Sequence, residues 1–127
     1  MSHVADHTAL IQFAETPIYA HILLADYAQG HGYLAVPTIS LMTATRMAVT
    51  NSAELAELVS RRVVVKAVEL DVDAAYTVGF NVPVVGSREL WPLIAPVVWI
   101  AKSLNLAVLT RRPDLYDGYA VRIAQMP

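Results

Sequence analysis

With 127 residues, 56% of them hydrophobic and 16% charged, the chain can bury one substantial core and is too apolar to be intrinsically disordered. Its 9 Lys and Arg against 11 Asp and Glu leave a net charge of −2, so no global attraction for nucleic acid exists. The lack of cysteine excludes disulfides, thiolate catalysis and Cys-ligated zinc.

The first predicted element is a short strand, Val4-Ala5, that ends at Asp6. Thr8 offers a hydroxyl to cap the helix carrying Leu10, Ile11 and Phe13. Thr16-Pro17 is a favourable Ncap–N1 pair for a second helix, which Gly30-His31-Gly32 stops. Tyr33-Leu34-Ala35-Val36 reads as a second strand ended by Pro37, and residues 38–48 as helix. Asn51-Ser52 caps a further helix with Glu54 and Glu57 early and Arg61-Arg62 late, a polarity that suits the helix dipole. The run Val63-Val64-Val65, with Val68, has no alternation and predicts a strand covered on both faces.

Asp71 or Asp73 caps a short helix ending near Gly79, and residues 81–88 form a loop. A long helix begins at Pro92 or Pro96 and stops at Asn105. Ala107-Val108-Leu109-Thr110 is the fourth strand, residues 113–118 turn, and residues 119–124 form the last strand. Strands alternating with helices predict an α/β fold, a three-layer α/β/α sandwich with a mainly parallel sheet, spanning 1–127 as a single domain. Residues 90–101 are apolar but too short to cross a bilayer, and the N-terminus has no signal-peptide pattern. A cytoplasmic protein without a membrane partner is expected, and the high apolar fraction points to a homodimer.

In parallel sheets ligands bind outside the carboxyl ends of the strands. Those ends supply Asp6, His7 and Thr8, then Thr38 and Ser40, then Thr110, Arg111 and Arg112, which are expected to converge. Asp6 reads either as a helix cap and hydrogen-bonding hub or as a ligand, and Asp114 after Pro113 as a turn residue. Arg111-Arg112 reads as a solvated pair or as an anion site. The histidines have no metal-binding spacing on the predicted elements.

Three segments in order resemble the PIN-domain family, which includes VapC-type toxins. They are Val4-Ala5-Asp6-His7-Thr8-Ala9-Leu10, Ala35-Val36-Pro37-Thr38-Ile39-Ser40-Leu41, and Ala107-Val108-Leu109-Thr110-Arg111-Arg112 behind an alanine-containing helix. The resemblance implies a nuclease site of three or four carboxylates around Mg²⁺ or Mn²⁺, hard ions that take oxygen ligands and activate water. Asp6 falls on the first such position, as a candidate catalytic residue, while Thr43, Ile94 and Arg112 fall on the other three. What it implies is therefore a PIN-like domain related to toxin–antitoxin ribonucleases, without metal-dependent nuclease activity or a cofactor. Such a domain serves as a binding or interaction module for itself, an antitoxin-like protein or a phosphate-bearing ligand. Thr8, Ser40, Thr43, Thr110, Arg111 and Arg112 are the candidate ligand-binding residues. The alternative is an active Mg²⁺-dependent endoribonuclease acting on RNA, with a shifted metal cluster of Asp6, Glu89 and Asp114.

Overall fold

A computed structural model describes residues 1–126 of the chain. Five strands, β1 (His3–Ala5), β2 (Leu34–Pro37), β3 (Val65–Val68), β4 (Ala107–Thr110) and β5 (Ile123–Gln125), form one sheet. Their order is β3-β2-β1-β4-β5 and every pairing is parallel. Six α-helices flank it among the described residues: α1 (His7–Glu15), α2 (Pro17–Asp26), α3 (Thr38–Met47), α4 (Ser52–Ser60), α5 (Val72–Asn81) and α6 (Trp91–Leu104). The three-layer α/β/α sandwich predicted from the alternation of elements is the fold observed.

The pleat assigns alternate strand residues to two cores. Ala5, Leu34, Val36 and Leu109 pack with Leu10 and Phe13 of α1, Ala44 of α3 and Leu55 and Leu58 of α4. Val4, Ala35 and Val108 pack on the other face with Val78 of α5 and with Ile94, Val97, Val98 and Ala101 of α6. Right-handed crossovers explain why the helices divide in this way. The chain moves from β1 to β2 to β3 in one direction, so α1–α4 lie on one face. It then passes back beyond β1 to reach β4, and the same handedness puts α5 and α6 on the opposite face. The connections leaving β1 and β4 consequently diverge, and a crevice opens between the carboxyl ends of these two adjacent strands.

Several local readings differ from what forms. The α1 cap is Asp6 rather than Thr8, because the Asp6 carboxylate reaches the Ala9 amide at 2.9 Å. Thr16 precedes Pro17 as expected, but its side chain makes no capping bond, and neither does that of Asn51. Pro37 ends β2 from within, pairing with Val68. The third strand starts at Val65; Val63 lies in a turn and is 87% exposed, and Lys66 and Ala67 face solvent. A β-branched run is a local property, whereas coverage on two faces depends on a central place in the sheet, and β3 is an edge. Helix α5 is capped by Asp71 and runs past Gly79 to Asn81. Pro92 sits in the first turn of α6 and Pro96 within it, while Asn105 adopts the left-handed conformation (φ 54°) that closes the helix. The last strand is Ile123–Gln125 and not residues 119–124: Tyr119 is drawn into the α6-side core, with its hydroxyl donating to the Pro83 carbonyl at 2.6 Å.

Candidate functional site

The crevice is built on Asp6, which directly follows β1 and is fully buried. Its Oδ1 accepts hydrogen bonds from the Thr8 hydroxyl (2.7 Å) and the Ala9 amide (2.9 Å). Its Oδ2 accepts from the hydroxyls of Thr110 (2.6 Å) and Tyr116 (2.8 Å). A buried carboxylate is costly unless its oxygens are met by donors, and here each oxygen has two. The donors come from the first turn of α1, the end of β4 and the short 3₁₀ turn Pro113–Tyr116.

The network continues outward from these hydroxyls. The Arg111 amide donates to Thr8 Oγ1 at 3.0 Å, and the Arg112 amide donates to Thr110 Oγ1 at 2.9 Å. Each threonine hydroxyl has a single proton and directs it to Asp6, so the 3.1 Å approach between Thr8 Oγ1 and Thr110 Oγ1 is a contact of two acceptors. Burial raises the Tyr116 hydroxyl pKa far above its ordinary value, and the charge and hydrogen bond of Asp6 act in the same direction. Tyr116 therefore remains a donor throughout the accessible pH range.

Above this layer lies an open pocket of about 390 Å³ lined by His7, Thr8, Ile11, Arg111 and Arg112. The Arg112 guanidinium forms a two-pronged pair with Asp114, Nε to Oδ1 at 2.9 Å and Nη2 to Oδ2 at 2.8 Å. That contact holds the Asp114 carboxyl below, and the Arg112 guanidinium above, its ordinary pKa. His7 is half-buried, and its Nδ1 has no hydrogen-bond partner among the described residues. Burial lowers its pKa; the Asp6 charge opposes that shift and Arg112 adds to it. A second pocket of about 390 Å³ lies between α1, α2 and the ends of β4 and β5, with Phe13, Ile22, Leu23 and Met126 on its walls. Its walls are mainly apolar, with Asp26 and Gln125 as polar members, whereas the pocket over Asp6 lies on the buried hydrogen-bond network at the strand ends.

Of the residues expected to converge, Asp6, His7, Thr8, Thr110, Arg111 and Arg112 do so. Thr38, Ser40 and Thr43 do not line the pocket. Ser40 is fully buried in α3 with no hydrogen-bond partner for Oγ among the described residues, and Thr43 donates to the Ile39 carbonyl at 3.0 Å. Ser40 is a candidate as a residue just after β2 and Thr43 through the family resemblance, and in α3 the one hydroxyl is enclosed while the other is bound to its own helix. Ile94 is a core residue of α6. Tyr116 went unrecognised: it lies in a predicted turn, and nothing within that turn signals a donor to a residue 110 positions earlier.

The residues do not fit the divalent ion that the PIN resemblance implies. Both Asp6 oxygens already accept two hydrogen bonds, and Asp114 is engaged by Arg112. Glu89 is exposed in the turn before α6 and does not join them; among the described residues no three His, Asp or Glu side chains gather to hold a metal. No protein-family model matches the chain, and a search of curated proteins finds no match.

Two substitutions separate the network from its surroundings. Tyr116→Phe removes one donor to a buried carboxylate and is expected to lower stability by about 2 kcal/mol. Ser40→Ala removes an unpartnered buried hydroxyl and is expected to leave stability unchanged or raise it by about 1 kcal/mol; urea denaturation measures both. Stability also depends on pH through His3 and His7. Burial is the main cause of the lowered pKa of each, relative to the ordinary 6.5, so the unfolded chain takes up these protons first as pH falls. The contribution is present above pH 6.5 and is lost as pH falls below it. The urea midpoint is expected to drop across that window and to drop less in His7→Gln.

Proposed function

We propose that the chain is a PIN-like domain, related to toxin–antitoxin ribonucleases, that lacks metal-dependent nuclease activity and serves as a cytoplasmic binding module. The observation that carries this reading is the state of Asp6. The one carboxylate at an expected metal position is enclosed by four donors, and it organises the strand ends instead of facing an ion. The all-parallel sheet with helices on both faces is compatible with the resemblance, although fold alone does not confer an activity. The cation of Arg112, at the last of the four family positions, further disfavours a divalent ion there. No described helix is long and apolar enough to cross a membrane.

The partner on this reading is a second copy of the chain. Helix α5 turns outward a stripe of Val72, Tyr76 and Phe80, exposed by 85%, 74% and 78%. These residues are one helical turn apart, and the two rings stack with centroids 6.2 Å apart. Val84 and Val85, about half exposed, follow the helix. Each aromatic side chain can bury about 150–250 Å². The stripe therefore supplies a large part of the roughly 800 Å² per partner of a standard interface, and a self-complementary patch suits two-fold association.

Calorimetry with Mn²⁺ tests the metal-free reading: no saturable heat is expected, in the wild type or in Asp6→Asn. Saturable binding that disappears in Asp6→Asn would instead favour the endoribonuclease, as would RNA cleavage abolished by EDTA. Light scattering tests the partner. The wild type is expected at twice the chain mass and Tyr76→Glu/Phe80→Glu at the single-chain mass; a monomeric wild type removes the α5 interface.

A further inference from the structure

Every permanently charged side chain on the wall of the pocket over Asp6 is cationic. Arg111 makes no ion pair among the described residues. Arg112 directs Nε and one Nη2 proton to Asp114 and leaves the rest of its fork unspent. The main chain beneath both arginines is held in place: their amides are bound by Thr8 and Thr110, whose protons are in turn held by Asp6. Two guanidiniums thus project from an ordered backbone at a crevice mouth, which reduces the ordering cost of binding an anion. The planar N–H pairs of arginine match the oxygen spacing of a phosphate group.

We propose that this pocket is a metal-free site for one small tetrahedral oxyanion, a phosphomonoester group or inorganic phosphate, held between Arg111 and Arg112. The inference rests on the reading of the chain as a metal-independent binding module. The net charge of −2 favours a single anionic group over a long polyanion, as do the engagement of Arg61 by Glu57 and of Arg122 by Asn105. Asp6 acts here as a positioning residue. Its carboxylate orients the two threonine hydroxyls, and these fix the backbone from which the arginines extend.

The test is a ¹H–¹⁵N NMR titration of the whole chain in EDTA at constant ionic strength. Inorganic phosphate, phenyl phosphate and dimethyl phosphate are added in separate runs. Saturable shifts are expected at the amides of Thr8, Arg111 and Arg112 with the first two anions, and binding at least about tenfold weaker with the diester. Tighter binding of phenyl phosphate identifies a monoester as the ligand source, and tighter binding of inorganic phosphate identifies the free ion. Arg111→Ala and Arg112→Ala are each expected to weaken binding by at least about tenfold. Both side chains are exposed, so their removal leaves the fold intact, and Arg61→Ala serves as an unaffected control.

Shifts that stay linear to the end of the titration overturn the proposal. Affinity unchanged in both arginine variants does the same, as does binding of a short RNA without binding of the phosphomonoesters. Saturable Mn²⁺ binding beside intact phosphate shifts sinks the metal-free reading and leaves the anion site standing. The absence of both phosphate shifts and Mn²⁺ binding does the reverse.

Discussion

A buried carboxylate joins parts of this chain that are more than 100 residues apart. Asp6 lies at the end of the central strand, and its four donors come from α1, β4 and the turn after β4. An ionised carboxyl without partners would be strongly unfavourable at zero exposure, so the surrounding hydroxyls are required by its burial. Conversely, the carboxylate determines where those hydroxyls point. The start of α1, the end of β4 and the 3₁₀ turn are thereby held in one register. Replacing a hydroxyl around it would leave an oxygen of Asp6 short of a donor, which places strong demands on residue type at Thr8, Thr110 and Tyr116.

This arrangement changes the meaning of an acidic residue at a strand end. In a metal site a carboxylate presents free lone pairs to the ion, and its neighbours are other carboxylates. Here the neighbours are donors, and the next charged groups outward are guanidiniums. The electrostatic character of the crevice is consequently inverted at its mouth: the negative charge is internal and stabilised by hydrogen bonds, while the arginine side chains face solvent. Sheet topology supplies the opening, and side-chain chemistry decides which kind of ligand it favours.

Much of the architecture was legible locally. The strands around Val4, Leu34 and Val108 are short apolar segments beside turn signals, and Asp71 and Asn105 mark helix ends through backbone preferences that need no distant partner. The failures share a different cause. Asp6 and Thr8 are both good caps, and choosing between them depends on Thr110 and Tyr116, which draw Asp6 into the crevice. The valine run around Val65 has high strand propensity, but its place at the sheet edge depends on the order of all five strands. Residues 119–122 are apolar enough for a strand, yet Tyr119 is taken by the opposite core.

The sequence alone determined the fold class, most element positions and the set of residues at the ends of β1 and β4, because these follow from periodicity, capping and the alternation of helices with strands. It also placed Arg112 rather than an acid at the end of that set. Only the tertiary structure decided that Asp6 is enclosed instead of open, that Tyr116 is its fourth partner, and that Ser40, Thr43 and Glu89 stand apart from the pocket. Those outcomes depend on which segments meet across the sheet and which way each side chain turns on arrival. No local pattern carries that information.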